Sequence, residues 1–214
     1  GIRFMNPVGL AAGFDKDAKL MQILPAVGFG FSEAGSITGE PCSGNPKPRL
    51  WRLKKSKGLI VNYGLKNDGC ERIAKRLIGK KFNIPLGTNI AKTNSQKTVG
   101  LEAGINDYAK AYSAFTEIGS YSAINISCPN AYGGEPFTDA AKLDKLLRRI
   151  DEIPSKKPVF IKLSPDLGKR QIDAILNVAA KHKVSGIICT NLTKKRNNPA
   201  IKDYVDSRAG GISG

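Results

Sequence analysis

The chain is short of acid, histidine and long apolar runs, and each shortage excludes a class of function. It has a single histidine, His182, and no second one to build a metal site around. The four cysteines, Cys42, Cys70, Cys128 and Cys189, lie far apart with no C-x-x-C pair, which excludes zinc-ribbon and dithiol chemistry. Free, scattered cysteines fit a reduced, cytoplasmic setting. No apolar stretch approaches the roughly 18 residues needed to span a bilayer. No G-x-G-x-x-G follows an apolar run and no G-x-x-x-x-G-K-[ST] occurs, so the nucleotide fingerprints of open α/β sheets are missing. The 18 Asp and Glu stand against 34 Lys and Arg, a formal net charge of +16. Such an excess suits anionic ligands, nucleic acid or an anionic membrane surface. Its clusters (Lys54-Lys55, Lys80-Lys81, Lys194-Lys195-Arg196) are short and dispersed, however, which reads first as solvated surface.

What is present is an ordinary globular composition. The 214 residues are 41% hydrophobic and 24% charged, enough apolar material for a proper core. The sequence opens on Gly1 with no signal-peptide layout and stops after a glycine-rich turn, so both ends are expected to be cut.

Apolar runs alternate with helical patterns. Strand-like runs fall at 8–13, 29–37, 84–90, 121–127, 158–164 and 185–190, short and rich in Ile, Val and Phe, as strands buried on both faces are. Between them the apolar period becomes that of a helix: Tyr108, Ala111, Tyr112, Phe115; Leu143, Leu146, Leu147, Ile150; and Ile172, Ile175, Leu176, Ala179. Weaker stripes are Cys70, Ile73, Leu77 and Leu20, Ile23, Leu24, Val27. This order predicts an α/β fold with a parallel sheet. Each run ends in small or polar residues, which favours a (β/α)8 barrel, whose chemistry sits at the carboxyl ends of many strands. Six of the eight β/α units are counted, in one catalytic domain. Residues 39–68 interrupt the beat with Gly and Pro punctuation and the alternation Leu50, Trp51, Arg52, Leu53, predicting a hairpin over the barrel mouth that Trp51 anchors.

Three kinds of residue carry chemistry. Cys128 sits just past the fourth barrel strand, where a thiol can act as acid, base or nucleophile, between Asn125 and Asn130, whose amides suit a planar ligand with carbonyl and N–H edges. Lys16 and Lys162 each close an apolar run at its carboxyl end and should point into the mouth, where a cation is costly unless an anion meets it. Together they predict a site for an anionic, amide-rich ligand. His182, between Lys181 and Lys183 on a predicted helix, reads as a surface residue.

These residues resemble the dihydroorotate dehydrogenases. Asn6 to Lys16 is similar to that family's first strand, and Gly44-Asn45-Pro46-Lys47-Pro48-Arg49-Leu50-Trp51-Arg52-Leu53 to the mouth hairpin of its quinone-linked class. Asn125-Ile126-Ser127-Cys128-Pro129-Asn130, Lys162 to Leu167, and Gly210 to Gly214 follow in the same order. The resemblance implies an FMN-containing (β/α)8 TIM barrel that oxidises dihydroorotate to orotate in pyrimidine synthesis. It implies FMN contacts at Ala12, Gly13, Lys16, Ser36, Asn89, Asn125, Lys162, Thr190 and Gly214. Substrate contacts would be Lys16, Gly64, Leu65, Asn125, Asn130 and Asn191. Cys128 would be the general base and Lys162 would stabilise charge on the reduced flavin, with no metal involved.

Three positions depart from the quinone-linked pattern. Cys128 stands where that class has Ser, Val61 where it has Asn, and Leu192 where it has Thr. The electron acceptor is therefore open between quinone, fumarate and a partner flavoprotein, and so is peripheral membrane contact through an N-terminal extension. Two alternatives remain. A tRNA dihydrouridine synthase is another FMN barrel with Asn-x-x-Cys-Pro, and a non-enzymatic basic module would bind nucleic acid; Asn130 and the hairpin motif speak against the first.

Overall fold

The computed structural model of the protein describes residues 1–128, 130–205 and 210–214. Pro129, within the predicted loop 125–130, lies outside the described residues.

Six parallel strands form the main sheet: β1 (Gly9–Leu10), β2 (Phe31–Ile37), β5 (Leu86–Ile90), β6 (Tyr121–Asn125), β7 (Val159–Leu163) and β8 (Val184–Cys189), in that spatial order. Each overlaps one of the six predicted runs, β8 starting one residue before its run. Every residue of β5 and β6 is buried, the mark of strands covered on both faces. A sheet of sequential parallel strands joined, after the first pair, by helical connections is that of a (β/α)8 barrel, and six of its eight strands lie among the described residues.

The helices α1 (Cys70–Leu77), α2 (Leu101–Ser113), α3 (Ala140–Asp151) and α4 (Lys169–Ala179) cover the outside of the sheet with their apolar stripes. α3 shows why a helix forms where it does. The Asp139 carboxylate accepts from the Lys142 N–H at 3.0 Å and caps the first turn, Arg148 and Arg149 sit favourably in the last, and Leu143, Leu146, Leu147 and Ile150 are buried.

The predicted stripe at Leu20, Ile23, Leu24 and Val27 is not an α-helix. Residues 21–28 form turns; Met21 and Leu24 are buried, whereas Leu20, Ile23 and Val27 are exposed. Pro25 removes a donor from the middle of the window, and the buried Asp15 carboxylate takes the N–H groups of Lys19 and Leu20 at 2.9 and 2.7 Å.

The mouth hairpin forms as β3 (Leu50–Leu53) and β4 (Gly58–Val61), antiparallel with Trp51 opposite Ile60. A third strand, β9 (Gly211–Ser213), pairs with β4, and Thr193 bridges to Ile212. Leu53, Ile60 and Ile212 make a second small core, and Trp51 packs on it as the anchor its sequence position predicts. The second sheet thereby brings two stretches 150 residues apart over the same mouth.

Candidate active site

The carboxyl ends of the barrel strands converge on one polar cluster. Chain direction forces this: each parallel strand delivers its last side chains to the same end, and the register sets Gly35 beside Asn89, Asn89 beside Ala123, and Asn125 beside Lys162. Gly35 is required where β2 and β5 meet. Its φ is 118°, and a Cβ there would lie 2.5 Å from the Asn89 carbonyl oxygen.

The buried side chains of the cluster form a continuous run of hydrogen bonds. The Ser36 hydroxyl donates to Asn89 Oδ1 at 2.5 Å, and Asn125 Nδ2 donates to Ser36 Oγ at 2.9 Å. Asn125 Oδ1 accepts from the Ser127 hydroxyl at 2.8 Å and from Asn191 Nδ2 at 3.4 Å. Asn191 Nδ2 also donates to the Ser127 carbonyl at 2.7 Å, fastening the segment after β8 to the loop after β6.

Lys162 lies beside Asn125 in the strand register, and Lys16 lies close enough to Cys128 for their charges to interact. Lys162 is buried, and neither ammonium makes a hydrogen bond or ion pair among the described residues. Burial lowers the pKa of both; the Cys128 and Asp17 charges oppose this at Lys16, and the Glu33 charge opposes it at Lys162. Lys16 Nζ lies 5.1 Å from the centre of the Tyr63 ring, and the Arg49 guanidinium carbon lies 5.0 Å from the same ring.

Cys128 is half-buried in the loop after β6 and shares a cavity lining with Leu65, Lys92, Tyr108 and Asn125. Burial pushes its thiol up to about 11, partly opposed by the Asn130 backbone N–H and the Lys16 charge. The loop is held by amides. Asn130 Nδ2 donates to the Val61 carbonyl at 2.9 Å, and Asn45 Nδ2 donates to Asn62 Oδ1 at 2.9 Å and to the Asn130 carbonyl at 3.3 Å. Asn94 Nδ2 donates to Asn45 Oδ1 and to the Gly64 carbonyl, both at 3.1 Å. Gly64, at φ 62°, packs so closely on Asn45 that a Cβ would lie 2.4 Å from its side chain.

The remaining predicted residues are more peripheral. Gly13 is tied to β2 by its N–H, which donates to the Gly35 carbonyl at 2.7 Å, and Ala12 precedes it half-buried. Thr190 is exposed past β8, its hydroxyl donating to the Asn191 carbonyl, and Gly214 lies against Lys57 and Gly58 of the hairpin.

Sequence reasoning missed Glu33, Lys92, Asn45 and Asn94. Glu33 and Lys92 had a signal: each is a lone charge inside or at the end of an apolar run, as Lys16 and Lys162 are. Lys92 is buried and donates to the Tyr132 carbonyl at 3.0 Å, tying β5 to the Cys128 loop. Asn45 stood in the hairpin motif without a role of its own, and Asn94 had no signal, since an amide in a loop is ordinary.

The sequence model of the dihydroorotate dehydrogenase family matches residues 1–214. The chain belongs to the dihydroorotate dehydrogenase family. It is 37% identical over its whole length to a dihydroorotate dehydrogenase (quinone) of Gloeobacter violaceus, covering 59% of that relative. It is 39% identical to one of Thermus thermophilus, all of the chain against 61% of the relative. Among solved structures, the dihydroorotate dehydrogenase of Eimeria tenella in complex with ferulenol superimposes with a TM-score of 0.86 at 30% identity. That match covers 99% of this chain and 62% of the other. The chain thus spans about three fifths of the length of the curated family members it matches.

Proposed function

We propose that the protein to which this chain belongs oxidises dihydroorotate to orotate with a bound FMN, using Cys128 as the base. The carrying observation is a pair of ammonium groups, the buried Lys162 and the half-buried Lys16, that make no hydrogen bond among the described residues and lie at the mouth with a cluster of amides. A group rich in carbonyl and N–H edges and able to bear negative charge fits this donor set. Asn89 and Asn125 each donate one N–H within the protein and keep the second for a ligand. Lys16, Ser36, Asn89, Asn125 and Lys162 would hold the flavin, with Ala12, Gly13, Thr190 and Gly214 at its margins. When bound, the flavin supplies the acceptor for the hydride that leaves C6 of the substrate.

The chain's own residues do the rest. Lys16 faces the substrate carboxylate, and Asn125, Asn130 and Asn191 with the Gly64-Leu65 backbone fix the ring, supplying orientation. The Cys128 sulfur takes the C5 proton; loss of that proton and of the C6 hydride leaves the C5=C6 double bond of orotate. The thiol must first be ionised, and Lys16 and the Asn130 N–H are the groups that favour its anion. Lys162 offsets negative charge on the pyrimidine edge of the reduced cofactor.

For the acceptor that reoxidises the flavin we infer a quinone, on the ground that the relatives matched here are named for it. Because such quinones dissolve in lipid, this reading carries a location on a membrane face; no helix among the described residues is long and apolar enough to cross one.

The test is anaerobic mixing of the full-length protein with dihydroorotate. Loss of the yellow flavin absorbance is expected; a flavin that stays oxidised, or a protein without flavin, defeats the reading.

A further inference from the structure

One run of side-chain hydrogen bonds at the barrel mouth keeps a single direction. The Tyr121 hydroxyl donates to Glu33 Oε1 at 3.3 Å and Asn89 Nδ2 donates to Glu33 Oε2 at 3.0 Å. Ser36 then donates to Asn89, Asn125 to Ser36, and Ser127 and Asn191 to Asn125. Every donor points along the chain toward one carboxylate, which is buried inside the barrel on β2.

We propose that Glu33 is a positioning residue, the terminal acceptor that sets the orientation of the Asn89 and Asn125 amides and so the donor and acceptor edges shown to flavin and substrate. The inference rests on the flavin reading above. An ionised carboxylate only accepts, so Asn89 must turn its NH2 to Glu33 and its oxygen to Ser36. The Ser36 hydroxyl spends its one proton on that oxygen and can then only accept from Asn125. Asn125 is left with its oxygen toward Ser127 and Asn191. Tyr121 cannot reverse the run, because burial and the Glu33 charge keep its hydroxyl protonated. Bonds to a buried carboxylate are charge-assisted and polarise the bonds behind them. The groups facing Glu33 are Tyr121 from β6, Asn89 from β5 and, through space, Lys162 from β7, whose charged form Glu33 favours.

The test uses Glu33→Gln in the full-length, flavin-loaded protein. Glutamine has the same shape but can donate, so both amide orientations become available. Orotate should bind roughly tenfold more weakly, the effect of losing about one well-made buried hydrogen bond. The flavin midpoint potential should move to a more positive value, because a negative charge near the reduced cofactor is gone. Glu33→Asp, which keeps the charge, should hold the potential near that of the parent. A role in stability alone would lower the melting temperature and leave the potential where it was. Ser36→Ala cuts the chain between Asn89 and Asn125 without touching the carboxylate. It should weaken orotate binding by itself, and Glu33→Gln added to it should weaken binding no further. That variant keeps the inference open to failure if Glu33→Gln does not fold. Parent-like orotate affinity and potential in Glu33→Gln, or parent-like orotate affinity in Ser36→Ala, overturn the inference alone. A parent protein without flavin overturns it together with the functional reading.

Discussion

Two regions of the molecule draw ionisable side chains away from water, and they treat them in opposite ways. At the barrel mouth Lys16 and Lys162 are withdrawn from water without an ion pair among the described residues. On the helical layer His182, whose side chain is 7% exposed, sits between two carboxylates: Nδ1 is 2.7 Å from Asp151 Oδ2 and Nε2 is 3.2 Å from Asp144 Oδ1. Arg148 pairs with Asp144 from the other side at 2.8 Å, and the Lys183 N–H donates to Asp151 Oδ1 at 3.2 Å. The surface residue expected at His182 is thus a buried clasp, beyond the end of α4, joining α3 to the turn before β8. Charge that is paired within the protein serves folding. Charge left unpaired at a buried mouth is costly to the protein alone and is offset only by a ligand.

The largest effect should come from Cys128→Ala, which should retain yellow flavin yet slow its reduction by dihydroorotate about a thousandfold, the usual range for a lost general base being about 10²–10⁴. Stopped-flow absorbance reads it, and an unchanged rate removes Cys128 from the mechanism. In the parent the same rate should climb about tenfold per pH unit through the neutral and mildly alkaline range, because the free thiol is pushed up to about 11 and only its anion accepts a proton. A rate flat from pH 6 to 9 would show the thiol is ionised far more easily than its burial allows.

Lys162→Met should separate function from stability. Flavin affinity, measured by equilibrium dialysis, should fall at least about tenfold, whereas the flavin-free protein should be as stable as the parent or more so by about 1 kcal/mol. Marked destabilisation would mean that Lys162 is paired after all. His182→Ala should do the reverse, lowering the melting temperature by a few degrees, since about 1 kcal/mol shifts it by roughly 2–4 °C in a domain of this size. Flavin reduction should be unaffected.

The smallest effect is in acid. The hydrogen bond from His182 holds the Asp144 carboxyl below the usual carboxylate range, with Arg148 adding to it. A carboxylate whose folded value is depressed contributes stability that is fully present above its ordinary value and lost as pH falls through the lowered one. Urea midpoints between pH 5 and 2 should therefore fall more steeply in the parent than in His182→Ala. Parallel curves would show the clasp contributes nothing there.

How much of this was legible beforehand differed by element. The six barrel strands were plain because strands buried on both faces must be apolar throughout, and Lys16 and Lys162 stood out against that background. The stripe 20–27 misled because spacing alone does not register a proline within the window or a carboxylate that takes the first N–H groups. Asn94 was silent and Asn45 was marked only as part of the hairpin motif, since nothing local distinguishes an amide that bridges two loops from one facing water. Thr190 and Gly214 followed from resemblance, and their place at the rim shows no more than that.

By itself the sequence determined the alternation of strand and helix, the parallel sheet and the kind of residue that ends each strand, because periodicity and apolar content are local properties. The tertiary structure alone decided which charges are paired. His182 meets Asp144 and Asp151 across 38 and 31 residues, and Glu33 meets Tyr121 across 88. Pairing over such separations depends on which strands and helices lie side by side, and only the packing of the sheet with its helices supplies that.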